Sequence, residues 1–250
     1  RLGEIVRAHY IGERESISKT AALTSIAVER VFDALTLLLF IAVASAFLPT
    51  MDILYGLGTI AGIPPVVLAS AMSAPFIITA VIMILFSQSP HLLDRITTSL
   101  SIVIPSAFKG RAKSLILSIS QGLSALKNPR TVIMVFALSL PIWILEALMY
   151  YIIGFSFDMD AFFNPTQMWI AILLVTAIAN LATAIPAAGG GIGTFDVAAS
   201  VTLIILGVDS STAGAYTIIL HLALLIPITV LGLIYQFMYS VPLNQIRKFM

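Results

Sequence analysis

Apolar residues in this chain gather in long runs separated by short polar stretches. Six runs can be read: Ala21 to Leu48, Val66 to Ser87, Thr131 to Phe157, Thr166 to Pro186, Thr194 to Gly207 and Thr212 to Tyr239. A helix crossing a bilayer needs about 20 residues at a rise of roughly 1.5 Å each. Val, Ile and Thr are abundant in these runs. Within lipid, however, a run this long forms a helix, because only a helix satisfies its own backbone there. The pattern predicts an all-α fold, a polytopic integral membrane helix bundle with about six spans in a single domain over 1–250. The fifth run is the exception. Its roughly 14 residues would reach about 21 Å against a hydrocarbon core of about 30 Å.

Two polar stretches interrupt the pattern. Residues 1–20 read as a cytoplasmic or interfacial segment. Residues 91–130 form the longer one, in which Leu115, Ile119, Leu123 and Leu126 fall on one helical stripe with Ser114, Ser118 and Gln121 off it. That spacing predicts an amphipathic helix lying in the interface, its basic residues towards anionic headgroups. A helical hairpin packed on the domain is the alternative. Pro105 separates two helical pieces.

Composition agrees with lipid as the solvent. Hydrophobic residues make up 59% of the chain and charged ones 10%, with a mean hydropathy of +1.05. Soluble domains carry about 45–50% apolar and about 25% charged residues. The net charge of +1 gives no ground for a nucleic-acid partner, and with no cysteine there is no thiolate site or disulfide framework. The thirteen Lys and Arg residues matter through their distribution. They cluster before the first run, between the second and third, and after the last. The stretches around Asp52, Asp158 to Asp160, and Asp209 hold acids only. The positive-inside rule makes every basic segment, and both ends of the chain, cytoplasmic. Six alternating spans satisfy that pattern throughout. The chain is therefore expected in the cytoplasmic membrane.

Few polar residues enter the runs, so each is conspicuous. Glu29, Arg30 and Asp33 sit about two turns into the first. A charge near the centre of a spanning helix costs about 2.5–3.5 kcal/mol, and here one cation lies between two acids at helical spacing. The group is either a staple near the cytoplasmic end or part of a substrate path. Upstream, Arg1, Glu4 and Arg7 read as part of a short basic–acidic helix or a re-entrant piece whose arginines could fork onto a phosphate; a solvated face is the plainer reading. Glu146 stands alone in the third run, a candidate proton carrier or headgroup ligand unless it pairs across helices, for instance with Arg30. Asn180 and His221 read as interhelical hydrogen-bond partners.

The stretch IPAAGGGIGTFDVAAS breaks the apolar pattern with Gly189, Gly190, Gly191 and Gly193, then Asp196. Unwound backbone at membrane depth is tolerated where it is buried in protein or lines a cavity. The break predicts a half-helix starting near Thr194, its N–H groups directed at an anion. Asp196 would repel that anion unless paired, protonated or used as a cap. A tight turn or close helix crossing is the simpler alternative, and the fourth and fifth runs either cross fully or form a re-entrant pair. No HExxH, Walker or nucleophile motif is present, and the three histidines, His9, His91 and His221, are far apart. No catalytic residue, metal site or cofactor is expected.

Arg1-Leu-Gly-Glu4-Ile-Val-Arg7, Ile26-Ala-Val-Glu29-Arg30-Val-Phe-Asp33, Trp143 to Gly154 and Pro186 to Asp196 together resemble the transmembrane, flippase-like domain of lysylphosphatidylglycerol synthases, related to the multiple peptide resistance factor. Members usually carry about two further helices before the Arg-x-Gly-Glu motif, so the chain reads as this domain without its start. The resemblance implies non-enzymatic translocation of a lipid with a polar or charged headgroup. Such lipids include aminoacyl-phosphatidylglycerol and polyprenyl-phosphate-linked lipids. It further implies a headgroup path made of Arg1, Glu4, Arg7, Glu29, Arg30, Asp33, Glu146, Gly189, Gly190, Gly191, Gly193 and Asp196. Asp196 stands where the family more often has Glu, and His221 where an arginine is common, which leaves the headgroup open. Membrane lipids are the expected partners. A homo-oligomer and a separate cytoplasmic synthase or glycosyltransferase are left open. The rival readings are an ion-coupled transporter of a soluble solute with Glu146 and Asp33 as coupling acids, a membrane-embedded transferase in glycolipid synthesis, and a scaffold for a cytoplasmic enzyme.

Overall fold

The computed structural model describes residues 2–89, 106–184 and 191–239. Among them every regular element is helical: α1 (Leu2–Arg14), α2 (Lys19–Ala44), α3 (Thr50–Ala61), α4 (Pro65–Gln88), α5 (Ser106–Gly122), α6 (Pro129–Phe155), α7 (Pro165–Ala182), α8 (Thr194–Ile205) and α9 (Ser210–Tyr239), with 3-10 turns at Ser124–Lys127 and Met159–Ala161. The all-α membrane architecture is as expected. Helices α4, α6, α7 and α9 are long and apolar enough to cross a membrane. Helix α2 is as long, at 26 residues, but carries Glu29, Arg30 and Asp33.

Helix starts follow local chemistry. Asn164 opens α7 by accepting the Gln167 N–H at 2.9 Å, while Gln167 Oε1 accepts the Asn164 N–H and Pro165 stands at the first helical position. Asn128-Pro129 repeats the device at α6, with Asn128 Oδ1 accepting the Arg130 N–H at 2.9 Å. Ser18 caps α2 through Ala21 N–H, and Asp209 caps α9 through Ser211 and Thr212 N–H, both at 3.0 Å. The hydrogen bonds from Ser211, then Thr212, hold the Asp209 carboxyl well below the usual carboxylate range. Pro75, Pro141 and Pro227 lie inside α4, α6 and α9. A spanning helix tolerates such prolines where neighbours re-satisfy the freed carbonyls.

The chain packs as two compact units, Arg1–Thr36 with Ser70–Trp143, and Leu37–Ala69 with Ile144–Met250. In the first unit, Val28 and Phe32 of α2 pack with Leu123 and Leu126, flanked by Met83, Phe86, Val132 and Phe136. The amphipathic stripe is thus divided. Leu123 and Leu126 are buried, whereas Leu115 and Ile119 of α5 are exposed. Residues 91–105 of that predicted segment lie outside the described residues.

In the second unit, α7 is largely buried, and its Met168, Ala171, Ile172, Val175 and Ala179 join Phe195, Ala199 and Leu203 of α8 and Tyr216 and Leu220 of α9 in one core. Helix α8 packs against α7, α9 and α3. It has 12 residues, about 18 Å of helix, and begins at Thr194 as its sequence predicts. Helix α3 is the element the sequence pattern does not predict. It ends on Gly62 in the left-handed conformation (φ 68°), with Ile63 N–H bonded to Gly58 C=O at 3.0 Å.

Candidate functional site

Each unit holds one polar cluster. In the first, α1 and α2 exchange charges. Arg7 forks onto Glu29, with Nη1–Oε1 at 3.0 Å and Nη2–Oε2 at 2.8 Å. Arg30 reaches Glu4 at 3.4 Å, Asp33 at 3.5 Å and Glu29 at 3.8 Å. Arg7, Glu4, Glu29 and Arg30 are all 41–52% exposed along their side chains, whereas Asp33 is 13% exposed. Asp33 is fixed from α6: Ser139 Oγ donates to Oδ1 at 3.1 Å and Trp143 Nε1 at 3.3 Å. The Arg7 guanidinium is held above its ordinary range, first by its hydrogen bond to Glu29.

The sequence places Glu4, Arg7, Glu29, Arg30 and Asp33 together, and they are together. One feature differs from expectation: Arg7 carries a carboxylate of α2 rather than an open fork. Arg30 turns to Glu4 and to the acids of its own helix. Ser139 and Trp143 enter the cluster with no warning from local sequence, because only packing aligns α6 with the Asp33 turn. Arg1 lies outside the described residues.

The second cluster lies where α6, α7, α8 and α9 meet. Tyr150 donates its hydroxyl to Glu146 Oε1 at 2.9 Å. Asn180 Nδ2 lies 3.0 Å from the same oxygen, 3.1 Å from the Tyr150 hydroxyl and 2.9 Å from Thr176 C=O. Glu146 therefore pairs across helices, as a lone acid in an apolar helix must, with α7 as its partner. Tyr216 ties α9 to the same turn by donating to Tyr150 C=O at 2.9 Å. The Tyr150 ring meets Phe195 edge-on, and Phe195 lies 4.9 Å from the His221 ring.

Asp196 completes this side. Its Oδ2 accepts the Gly193 N–H at 2.9 Å, and its Oδ1 lies 2.8 Å from His221 Nδ1. The carboxylate is both paired and capping. Of the conditions under which Asp196 would not repel an anion at the start of α8, pairing and capping are both met, and as a cap the carboxylate itself takes the Gly193 N–H. Gly191 and Gly193 have φ of 95° and 91°, a conformation L side chains rarely adopt. Gly189 and Gly190 lie outside the described residues. Among the described residues no group of three or more His, Asp or Glu is placed to hold a metal ion.

Membrane-length apolar helices, with paired charges and a hydrogen-bonded carboxylate set among them, define a multi-pass α-helical membrane protein. The chain belongs to the family described as the lysylphosphatidylglycerol synthase TM region, whose model matches residues 1–232. It is similar to a UPF0104 membrane protein of Methanothermobacter thermautotrophicus, at 26% identity over 106 residues. That match takes in 42% of this chain and 30% of the relative. No solved structure matches the chain. Family membership ties the protein to membrane-lipid function.

Proposed function

We propose that the protein translocates a lipid with a polar or charged headgroup between the leaflets of the cytoplasmic membrane, without catalysing a covalent step. One observation carries the reading. Arg7 and Glu4 of α1 and Glu29, Arg30 and Asp33 of α2 hold each other in one cluster, and its three α2 members stand on a helix otherwise built for an apolar setting. Such charges are costly in lipid and are kept where they face a wet or ligand-bearing path. Guanidinium groups match phosphate oxygens in a planar fork, so anionic or polyprenyl-phosphate-linked lipids are the substrates best suited to Arg7 and Arg30. The Asp196–His221 pair and the Glu146 cluster form the second polar station. Membership in a family named for a lipid synthase supports a lipid substrate, and a separate synthase or glycosyltransferase would supply it.

The test is a leaflet assay on protein reconstituted in vesicles containing fluorescent phosphatidylglycerol. Arg30→Ala and Asp196→Ala are expected to slow redistribution at least about tenfold, the loss of roughly 1.4 kcal/mol of pathway stabilisation. If both variants move lipid at the unaltered rate, the site assignment fails. Movement of a soluble solute on a pH gradient, with no lipid redistribution, would select the ion-coupled transporter instead.

A further inference from the structure

Among the described side chains, helix α1 shares little apolar surface with α2. Their shared buried cluster consists of Ala8, Ala22 and Ile26, with Ile11 and Ile17 against it. Two of these five are alanines, which bury a single methyl each, so the contact is small by the measure of area removed from water. A second fastening is electrostatic and reciprocal. Helix α1 gives Arg7 to Glu29 of α2, and α2 returns Arg30 to Glu4 of α1. All four side chains are about half exposed, and exposed pairs are weak and screened by salt.

The connection between the helices is built to turn. Glu15 N–H closes on Ile11 C=O at 2.9 Å and Ile17 N–H on Gly12 C=O at 3.1 Å. Between them, Ser16 has a φ of 55°, in the left-handed region. Helix α2 then restarts on the Ser18 cap. A short helix, a tight reversal at Ser16 and a clasp of exposed charges link α1 to α2.

The chemistry of the clasp says what would open it. The Arg7 fork is filled by the Glu29 carboxylate and Arg30 faces Glu4 through Nε, and a phosphate presents the same acceptor pattern to a guanidinium. Glu4 and Glu29 occupy the places a phosphate would take, and both belong to the clasp itself. We infer that α1 is a strap closed over α2 by the Arg7–Glu29 and Arg30–Glu4 pairs, and that the phosphate of an anionic lipid headgroup opens it by displacing the two glutamates. This gating step rests on the lipid-translocation reading; the opening itself does not.

The chain contains no cysteine, so labels can be placed at will. Spin labels at Glu13→Cys on α1 and Leu23→Cys on α2, both exposed positions outside the clasp, report the separation of the helices in the full chain in nanodiscs. In phosphatidylcholine at low salt, one short distance is expected. A longer distance should grow as phosphatidylglycerol is added, and in 1 M salt, where charges are screened beyond about 3 Å. Glu29→Gln should raise the open fraction about two- to fivefold, the effect of losing one exposed ion pair. The swap Arg7→Glu with Glu29→Arg should return it towards the closed value. A distribution that ignores both phosphatidylglycerol and Glu29→Gln overturns the strap. Opening by inorganic phosphate but not by phosphatidylglycerol overturns the lipid as its ligand.

A second arm separates gating from transport. Ala8→Cys with Ala22→Cys, both in the shared buried cluster, are to be joined by oxidation, and the joined form isolated, to hold α1 down. Translocation should be lost on oxidation and recovered on reduction. Equal rates in the two states overturn the gate. If the labels report opening while no form of the protein moves lipid, the translocation reading falls and the strap stands.

Discussion

Gly191 and Gly193 share a positive φ, at 95° and 91°, yet what surrounds them differs. A Cβ on Gly191 would come within 3.0 Å of Thr183 Cγ2, whereas a Cβ on Gly193 would meet open space. Left-handed backbone costs an L residue roughly 1–2 kcal/mol, so both alanine variants are strained and Gly191→Ala also crowds α7. Melting in detergent should show Gly191→Ala less stable than Gly193→Ala, and both less stable than the unaltered protein. Equal melting temperatures for all three would sink this account of the glycines. The need for glycine was legible in the sequence; its reason was not. The stretch reads as a break for a ligand, and what the described glycines provide is a path into α8 that lets Asp196 cap the Gly193 N–H and still reach His221. That partner is 25 positions away, beyond any local pattern.

At the scale of elements, two other glycines mark close helix crossings. A Cβ on Gly122 at the end of α5 would stand 2.6 Å from the Ala21 carbonyl and from Thr24 Cβ of α2. A Cβ on Gly56 of α3 would stand 2.4 Å from Ile205 Cδ1 of α8, the far end of a flexible side chain. A backbone carbonyl cannot move aside without shifting its helix, whereas an isoleucine tip can change rotamer at a cost of order 0.5–1.5 kcal/mol. Glycine to alanine inside a helix otherwise gains about 1 kcal/mol in propensity. Gly56→Ala is therefore expected near neutral and Gly122→Ala destabilising by about 1–3 kcal/mol, the usual cost of overpacking. Chemical denaturation in mixed micelles checks the order, and Gly122→Ala at or above the stability of Gly56→Ala would refute it. The four long apolar helices were legible because lipid imposes one solution on a long apolar run. Helix α3 was not. It is 12 residues long, carries Asp52, Gly56 and Gly58, and owes its place to contact with α8.

For the whole molecule, the clusters are where sequence reading and structure diverge most. Charge spacing on α2 correctly brought Glu29, Arg30 and Asp33 together, because neighbours on one helix share a face by geometry alone. It could not foresee Ser139, Trp143 or Tyr150, which are unremarkable residues until packing aims them at a carboxylate. Charge distribution makes a separate, global prediction about orientation. Lys113 is exposed on α5, between the second and third apolar runs, while Asp52 and Asp160 are exposed in stretches holding acids alone. A bias in Lys and Arg over short loops sets the side each loop occupies, so Lys113 should face the cytoplasm and the two acids the opposite side. Single cysteines at these positions, in a chain with no others, can be treated in intact cells with a maleimide that does not cross membranes. Asp52→Cys and Asp160→Cys are expected to react, and Lys113→Cys only after the membrane is opened or inverted. The first two flank two crossings where α4 and α6 are the spans between them. Labelling of Asp52→Cys and Asp160→Cys from opposite sides would therefore refute a count of two crossings between them, whatever the overall orientation.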